Sequence, residues 1–171
     1  MLTFSVSAIL GKQQGTVQRF DFDEAVIWDG KDDPSLAENI SGSIQLLKLP
    51  HEINVQISHL HTAVNDDCSR CLKPITCPIN IDFAEREFII DLPERDLEAG
   101  EEVKRVDLSA NKIDLNDMIR EEILLHYPFI PVCSQSCKGL CSKCGINLNE
   151  KTCNCIHEGM LRISPFKIPK A

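Results

Sequence analysis

Aromatic residues are scarce: seven Phe, one Tyr and one Trp make up 5% of 171 residues. No apolar run approaches the roughly 18 residues a membrane-spanning helix needs, so no membrane partner is expected. The opening Met1-Leu2-Thr3-Phe4-Ser5-Val6 has no basic stretch ahead of its apolar residues, which argues against a secretory leader and for a cytoplasmic protein. Gly-x-Gly-x-x-Gly, the P-loop, His-Glu-x-x-His and the serine elbow are all missing. Carboxylate pairs such as Asp66-Asp67 occur, but nothing in the sequence places them in a cleft. The expectation is therefore a protein that is not an enzyme and has no small-molecule substrate.

Positive charge is also in short supply, with 18 Lys and Arg against 26 Asp and Glu, for a net charge of −8. That balance argues against a protein that coats nucleic acid with its whole surface. The charge is unevenly spread: residues 1–127 carry a net −12, whereas residues 128–171 carry +4. The basic side chains of the second stretch are Lys138, Lys143, Lys151, Arg162, Lys167 and Lys170.

With 43% hydrophobic and 26% charged residues, the composition is that of a globular domain. The length suits one domain, or one domain with a small appendage. The charge break divides it into a β-rich domain over 1–127 and a cysteine-rich module with a basic tail over 128–171.

Alternation of apolar and polar residues predicts strands in most of the first segment. Leu2, Phe4, Val6, Ala8 and Leu10 alternate, and so do Phe20 and Phe22, with Val26-Ile27-Trp28 as an extension of that second strand. Asp29 to Pro34 breaks the chain. Ile44 and Leu46, then Ile53, Val55 and Ile57, resume the alternation, and Ile75, Cys77, Ile79, Ile81 and Phe83 keep it strictly. The apolar set then moves to Phe88, Ile90 and Leu92, which predicts a bulge or turn near Glu85. Pro93 to Arg105 is charged and reads as a solvated loop, followed by a short strand at Val106 and Leu108.

One helix is predicted over 114–127, with Asp114 as N-cap, Pro128 as stop, and Leu115, Met118, Ile119 and Ile123 facing the sheet. The fold class is α+β: a mostly antiparallel sheet or partly closed barrel, one main packed helix, and a C-terminal zinc-ribbon-like module.

Nine cysteines, an odd number in a chain expected to lack a secretory signal, do not read as a disulfide framework. Eight fall into close pairs: Cys68 and Cys71, Cys133 and Cys137, Cys141 and Cys144, Cys153 and Cys155. Two thiolates on a tight turn can face one ion, and a second pair completes a tetrahedral Zn2+ shell. Eight such sulfurs make two structural zinc sites.

Three matchings of the pairs exist. The short spacing favours Cys141, Cys144, Cys153 and Cys155 as a local site, leaving Cys68, Cys71, Cys133 and Cys137 as a long-range one. The alternative is a single ion within 133–144, with Cys68 and Cys71 free or redox-active. Cys77 reads as a buried small hydrophobe. His59 and His61 read as an exposed polar pair, and His126 as a partner for helix-terminal carbonyls. His157 ranks below the cysteines as a ligand.

The order of these features resembles a known family. Cys68-Ser-Arg-Cys71-Leu72 precedes an alternating strand, and Asp114 to Pro128 follows. Then come Cys137-Lys-Gly-Leu-Cys141-Ser-Lys-Cys144-Gly145-Ile-Asn147-Leu-Asn149 and Cys153-Asn-Cys155. Over residues 42–160 the chain is similar to the YceD family of bacteria and plastids, the large ribosomal RNA subunit accumulation proteins. Residues 1–41 share only its general pattern.

The resemblance implies a role in synthesis, processing or stability of large-subunit (23S) rRNA during ribosome assembly. It implies as partners that rRNA or its precursor, ribosomal proteins or assembly factors. Where family members often carry Asp-Pro-Arg, this chain has Ile156-His157-Glu158-Gly159-Met160-Leu161-Arg162. Two other readings compete. A dithiol redox protein using Cys68 and Cys71 requires a helix starting at the motif. A zinc-ribbon transcription factor requires a basic base-reading element.

Overall fold

The structure, a computed structural model, describes residues 2–28, 30, 33–91 and 104–155. The Pro93–Arg105 loop up to residue 103, His157, and the basic residues Arg162, Lys167 and Lys170 lie outside them. In chain order the elements are β1 (Thr3–Ser5), α1 (Ser7–Leu10), β2 (Val17–Glu24), β3 (Ser35–Leu36), β4 (Ile40–Lys48), β5 (Glu52–Asp67), β6 (Pro74–Ile89), β7 (Lys112–Asp114) and α2 (Asn116–His126).

The main sheet is antiparallel and open. Its order is β2-β4-β5-β3, with β6 along the other edge of β5. Among the described residues β2 and β6 do not pair, so the partly closed barrel is corrected to an open sheet. A second, two-stranded sheet joins β1 to β7 and ties the start of the chain to the lead-in of α2.

The backbone of the fold is the β5–β6 hairpin, two strands of 16 residues each. Its periodicity changes midway. Gly42 of β4 stands opposite both His59 and Leu60, because Ser41 pairs with His61 and Ser43 with Ser58. His59 is the extra residue, at φ 53°, and such a bulge moves the side chains beyond it to the other face. Burial accordingly passes from Ile53, Val55 and Ile57 to Leu60, Thr62 and Val64 in β5, and from Cys77, Ile79 and Ile81 to Ala84 and Phe88 in β6.

The expected shift near Glu85 thus falls earlier, between Ile81 and Ala84, and no turn interrupts β6. Phe83, on the apolar side by strict alternation, is 55% exposed instead. Gly42 gives the bulge room: a Cβ would press on the Leu60 Cα and the Phe22 ring at 3.2 Å and the Ser58 carbonyl at 3.3 Å.

Helix α2 covers the sheet. Leu115, Met118, Ile119 and Ile123 share one core cluster with Ile53, Val55, Ile57, Ile79 and Ile81, as the sequence predicts. Arg86 of β6 and Glu121 of α2 pair at 2.7 Å on the rim. The helix starts at Asn116 with Leu115 as N-cap, in place of Asp114. The Leu115 N–H is drawn to the Leu2 carbonyl at 2.9 Å, and Asp114 ends β7 while its carboxylate accepts the Asn116 N–H.

The first predicted strand is also shorter than expected. Leu2, Val6 and Ile9 are buried, a spacing of four and three, and residues 7–10 form a helical turn. Strand β2 stops at Glu24; Ile27 beyond it is 88% exposed. Val106 enters no strand; its N–H donates to the Ile89 carbonyl, its neighbours Arg105 and Asp107 form isolated bridges, and it is buried in the main core.

Candidate metal centre

The hairpin turn that joins β5 to β6 is itself the Cys68-Ser69-Arg70-Cys71 segment, since Asp67 and Pro74 are the last paired residues. The Leu72 N–H donates to the Cys68 carbonyl at 2.8 Å, and the Cys68 N–H donates to the Lys73 carbonyl at 2.8 Å. Cys141-Ser142-Lys143-Cys144 repeats this pattern. Gly145 N–H donates to the Cys141 carbonyl at 2.9 Å, and Cys141 N–H to the Ile146 carbonyl at 2.8 Å.

In both turns the residue after the second cysteine is left-handed, Leu72 at φ 55° and Gly145 at φ 71°. That reversal turns the chain so that both sulfurs project to one side. The two turns are one knuckle built twice.

Each knuckle meets a second cysteine pair. The sulfurs of Cys68, Cys71, Cys133 and Cys137 all lie within 4.8 Å of one another, and so do those of Cys141, Cys144, Cys153 and Cys155. These are the two quartets favoured by the spacing. Cys77 joins neither and is buried, 8% exposed, on the sheet.

In the first quartet the Cys68–Cys137 and Cys71–Cys133 sulfurs are 3.8 and 3.7 Å apart. Four thiolates about 2.3 Å from one ion stand about 3.8 Å apart along a tetrahedral edge, so the residues fit a tetrahedral divalent metal such as zinc. Cys68, Cys71 and Cys137 are buried against Ile75, Val132 and Leu140. The second quartet is more open, with Cys141 buried and Cys144 exposed.

The electrostatics of the thiols agree. Burial pushes the Cys68 thiol up, but the backbone N–H groups of Cys133, Arg70 and Cys71 outweigh it and bring it down to about 6. The N–H groups of Cys144 and Lys143 bring Cys141 to about 6 as well. Burial also opposes ionisation of Cys137, and the Asn149 amide and Gly139 N–H overcome it. Conversely, Cys133 is pushed up to about 12, first by Cys137 and then by burial, and Cys155 to about 12, first by Cys144. Neighbouring thiolates repel the next ionisation, and a bound dication removes that repulsion.

Several joints hold the first quartet together. The Ser69 N–H donates to the Pro131 carbonyl at 2.9 Å, and Arg70 Nη1 to the Cys137 carbonyl at 3.0 Å. Tyr127, just past α2, donates its hydroxyl to Asp66 at the end of β5, and this bond holds the Asp66 carboxyl below its ordinary range. The knuckles touch directly: the Leu140 N–H donates to the Arg70 carbonyl at 3.0 Å. Gly139, at φ 74°, allows this, because a Cβ there would sit 2.9 Å from the same carbonyl.

Sequence reasoning did not assign roles to Arg70, Gly139 or Asn149. The Gly145-Ile-Asn147-Leu-Asn149 run after Cys144, part of the resemblance to the family, is the available signal for the last.

His59 and His61 are exposed and outside both quartets, and His61 bonds Asn80 at 2.8 Å. His126 Nδ1 lies 2.9 Å from the Glu122 carbonyl in the last turn of α2. Cys71 leads into strand β6 and not into a helix, so the helix a dithiol redox centre requires is missing. Lys138, Lys143 and Lys151 are all exposed. Among the described residues no helix is long and apolar enough to cross a membrane.

An open antiparallel sheet whose long hairpin ends in one of two cysteine knuckles defines a mostly antiparallel class with two cysteine clusters that could hold metal. The chain belongs to the YceD family, described as large ribosomal RNA subunit accumulation protein YceD, whose profile matches residues 58–167. It is 34% identical over 82 residues to an uncharacterised protein of Mycobacterium tuberculosis, covering 48% of this chain and 39% of that one. Large ribosomal RNA subunit accumulation protein YCED homolog 1, chloroplastic, of Arabidopsis thaliana is 40% identical over 47 residues, 28% of this chain and 15% of that one. Its Zea mays namesake is 40% identical over 57 residues, 33% and 20% of the two chains. The chain thus spans about two fifths or less of the length of these relatives. No solved structure matches it.

Proposed function

We propose that this chain is a cytoplasmic, non-catalytic factor for the synthesis, processing or stability of large-subunit (23S) rRNA during ribosome assembly. In this reading each quartet holds one structural Zn2+. The all-cysteine shell leaves no open coordination position for a substrate, which supports a structural role. The β-rich domain over 1–127 carries the acidic surface, and the module over 128–171 carries the contact to RNA or to a ribosomal protein or assembly factor.

The observation that carries the proposal is the placement of the lysines. Lys138 and Lys143 project from the cysteine-bearing turns and Lys151 from the loop between the second quartet's pairs, all exposed on a protein of net charge −8. Arg162, Lys167 and Lys170 add to the same module in sequence. Phosphate contact needs local positive potential, and the backbone fixed by the quartets aims it.

The test is to recover the tagged protein from cells, sequence its co-purifying RNA, and repeat with Lys138, Lys143 and Lys151 changed together to Ala. Enrichment of large-subunit precursors that falls in the triple variant is expected. If each of these three lysines neutralises one phosphate of single-stranded RNA, the triple variant flattens the fall of log affinity with log salt by about 2, at roughly 0.7 per contact. Unchanged recovery at unchanged metal content would show that the association runs through the acidic sheet and a protein partner.

A further inference from the structure

One residue of the second quartet's loop reaches a sulfur of the first. Asn149 lies between Cys144 and Cys153, and its amide nitrogen donates to the Cys137 sulfur at 3.3 Å. The orientation of that amide is fixed by its other bonds. Its oxygen accepts the Lys138 N–H at 2.8 Å, so the nitrogen must face the sulfur, and the remaining hydrogen goes to Asn147 Oδ1 at 2.9 Å. Asn147 Oδ1 also accepts the Asn149 N–H at 3.0 Å, while the Leu148 N–H donates to the Gly139 carbonyl at 2.9 Å. The loop that Cys144, Cys153 and Cys155 close therefore holds an amide against a ligand of the other quartet.

We propose that Asn149 is a positioning residue that couples the two metal sites, so that filling the second quartet raises the metal affinity of the first. The proposal rests on the reading that the quartets hold metal. With the second quartet filled, residues 145–152 are pinned at both ends and Asn149 is held on Cys137. With it empty, Cys153 and Cys155 are released, and the amide pays ordering entropy to make the same bond. A donor to a coordinated thiolate spreads its charge and orients it, and outer-shell partners of this kind are worth roughly 10- to 100-fold in metal affinity. Binding linkage is reciprocal, so filling the first quartet tightens the second by the same factor.

Cobalt(II), whose sulfur-to-metal bands report thiolate coordination, tests this in the full chain by competition with a chelator. A protein with Cys68→Ser and Cys71→Ser gives the second site alone, so the first can be resolved in the intact protein. Asn149→Asp keeps size and acceptor oxygens but removes the donor. It should weaken the first site about tenfold and shift its sulfur-to-cobalt band to lower energy. Asn149→Ala, which adds no charge beside the thiolate, should act in the same direction.

Disabling the second quartet with Cys144→Ser and Cys155→Ser should also weaken the first site, and adding Asn149→Asp to that background should change it less than twofold. An equal Asn149→Asp factor in both backgrounds, or unchanged affinity and band position in the intact protein, overturns the coupling alone. Absence of tetrathiolate cobalt bands in the wild type overturns the metal reading, and the coupling with it.

Discussion

Beneath the sheet, Ile53, Val55, Ile57, Ile79, Ile81, Ile119 and Ile123 are each at most 2% exposed, and they form one continuous core with α2. Among the described residues after 127, by contrast, burial is confined to Pro131, Cys137, Gly139 and Cys141. The first region is ordered by apolar area, at about 1.5–3 kcal/mol for each large side chain removed from water. The second has too little such area to fold on that basis, and four of its six cysteines stand in the quartet it closes by itself. In the proposed reading, bonds to metal take the place of a core there. Losing one ligand should therefore act locally and severely, whereas losing one methyl-bearing side chain from the sheet should act globally and moderately.

The sharpest way to break this contrast is Cys144→Ser. A structural zinc supplies on the order of 10 kcal/mol to the segment it orders, so the variant should lose one of two zinc ions by elemental analysis and its 141–155 amides should exchange freely. The β5–β6 amides should stay protected. Loss of sheet protection as well would mean that the two regions fold as one.

Next in size, Ile123→Ala should lower the unfolding free energy of the sheet region by roughly 2–5 kcal/mol, as core truncations do, with metal content unchanged. A cost under about 1 kcal/mol would make α2 peripheral. Gly42→Ala presses a methyl on the backbone of Leu60 and Ser58 at the bulge and should cost about 1–3 kcal/mol in a denaturant titration. A neutral result would show that the bulge relaxes.

The smallest effect should favour stability. Leu72 holds a left-handed conformation that costs a side-chain-bearing residue about 1–2 kcal/mol, and the residue is 63% exposed. Leu72→Gly gives this knuckle the Cys-Ser-x-Cys-Gly pattern of the other, leaving Arg70 against Lys143 as the one difference, and should stabilise by about 0.5–1 kcal/mol once the backbone entropy of glycine is set against the relieved conformation. A loss would assign the exposed Leu72 side chain a contact of its own.

Much of this was readable from residue order. The eight cysteines carried their pairing in their spacing, because only a short loop separates Cys144 from Cys153. The core face of α2 followed from helical periodicity at Leu115, Met118, Ile119 and Ile123. Where reading failed, a contact distant in sequence had decided the local conformation. His59 carries no bulge signal; its left-handed backbone is set by the three-strand match around Gly42. Leu2 to Leu10 alternates well enough for a strand, yet the Val6 N–H bonds to the Asn111 carbonyl and residues 7–10 turn into a helix. Asp114 has the chemistry of an N-cap but is held in β7 by pairing with Thr3. Asn149 was visible as a motif residue, but its contact with Cys137 exists only once both knuckles have formed.

The hairpin turn that doubles as a knuckle sets a timetable for synthesis. Cys71 and Cys133 are 62 residues apart, so at roughly 5–20 residues per second the first knuckle emerges about 3–12 s before its partners. During that interval its two thiols have no third or fourth ligand and lie open to oxidants and to other thiophilic metals. The second quartet, local in sequence, has almost no such wait. The exposure of the nascent protein to oxidative damage is therefore concentrated on Cys68 and Cys71.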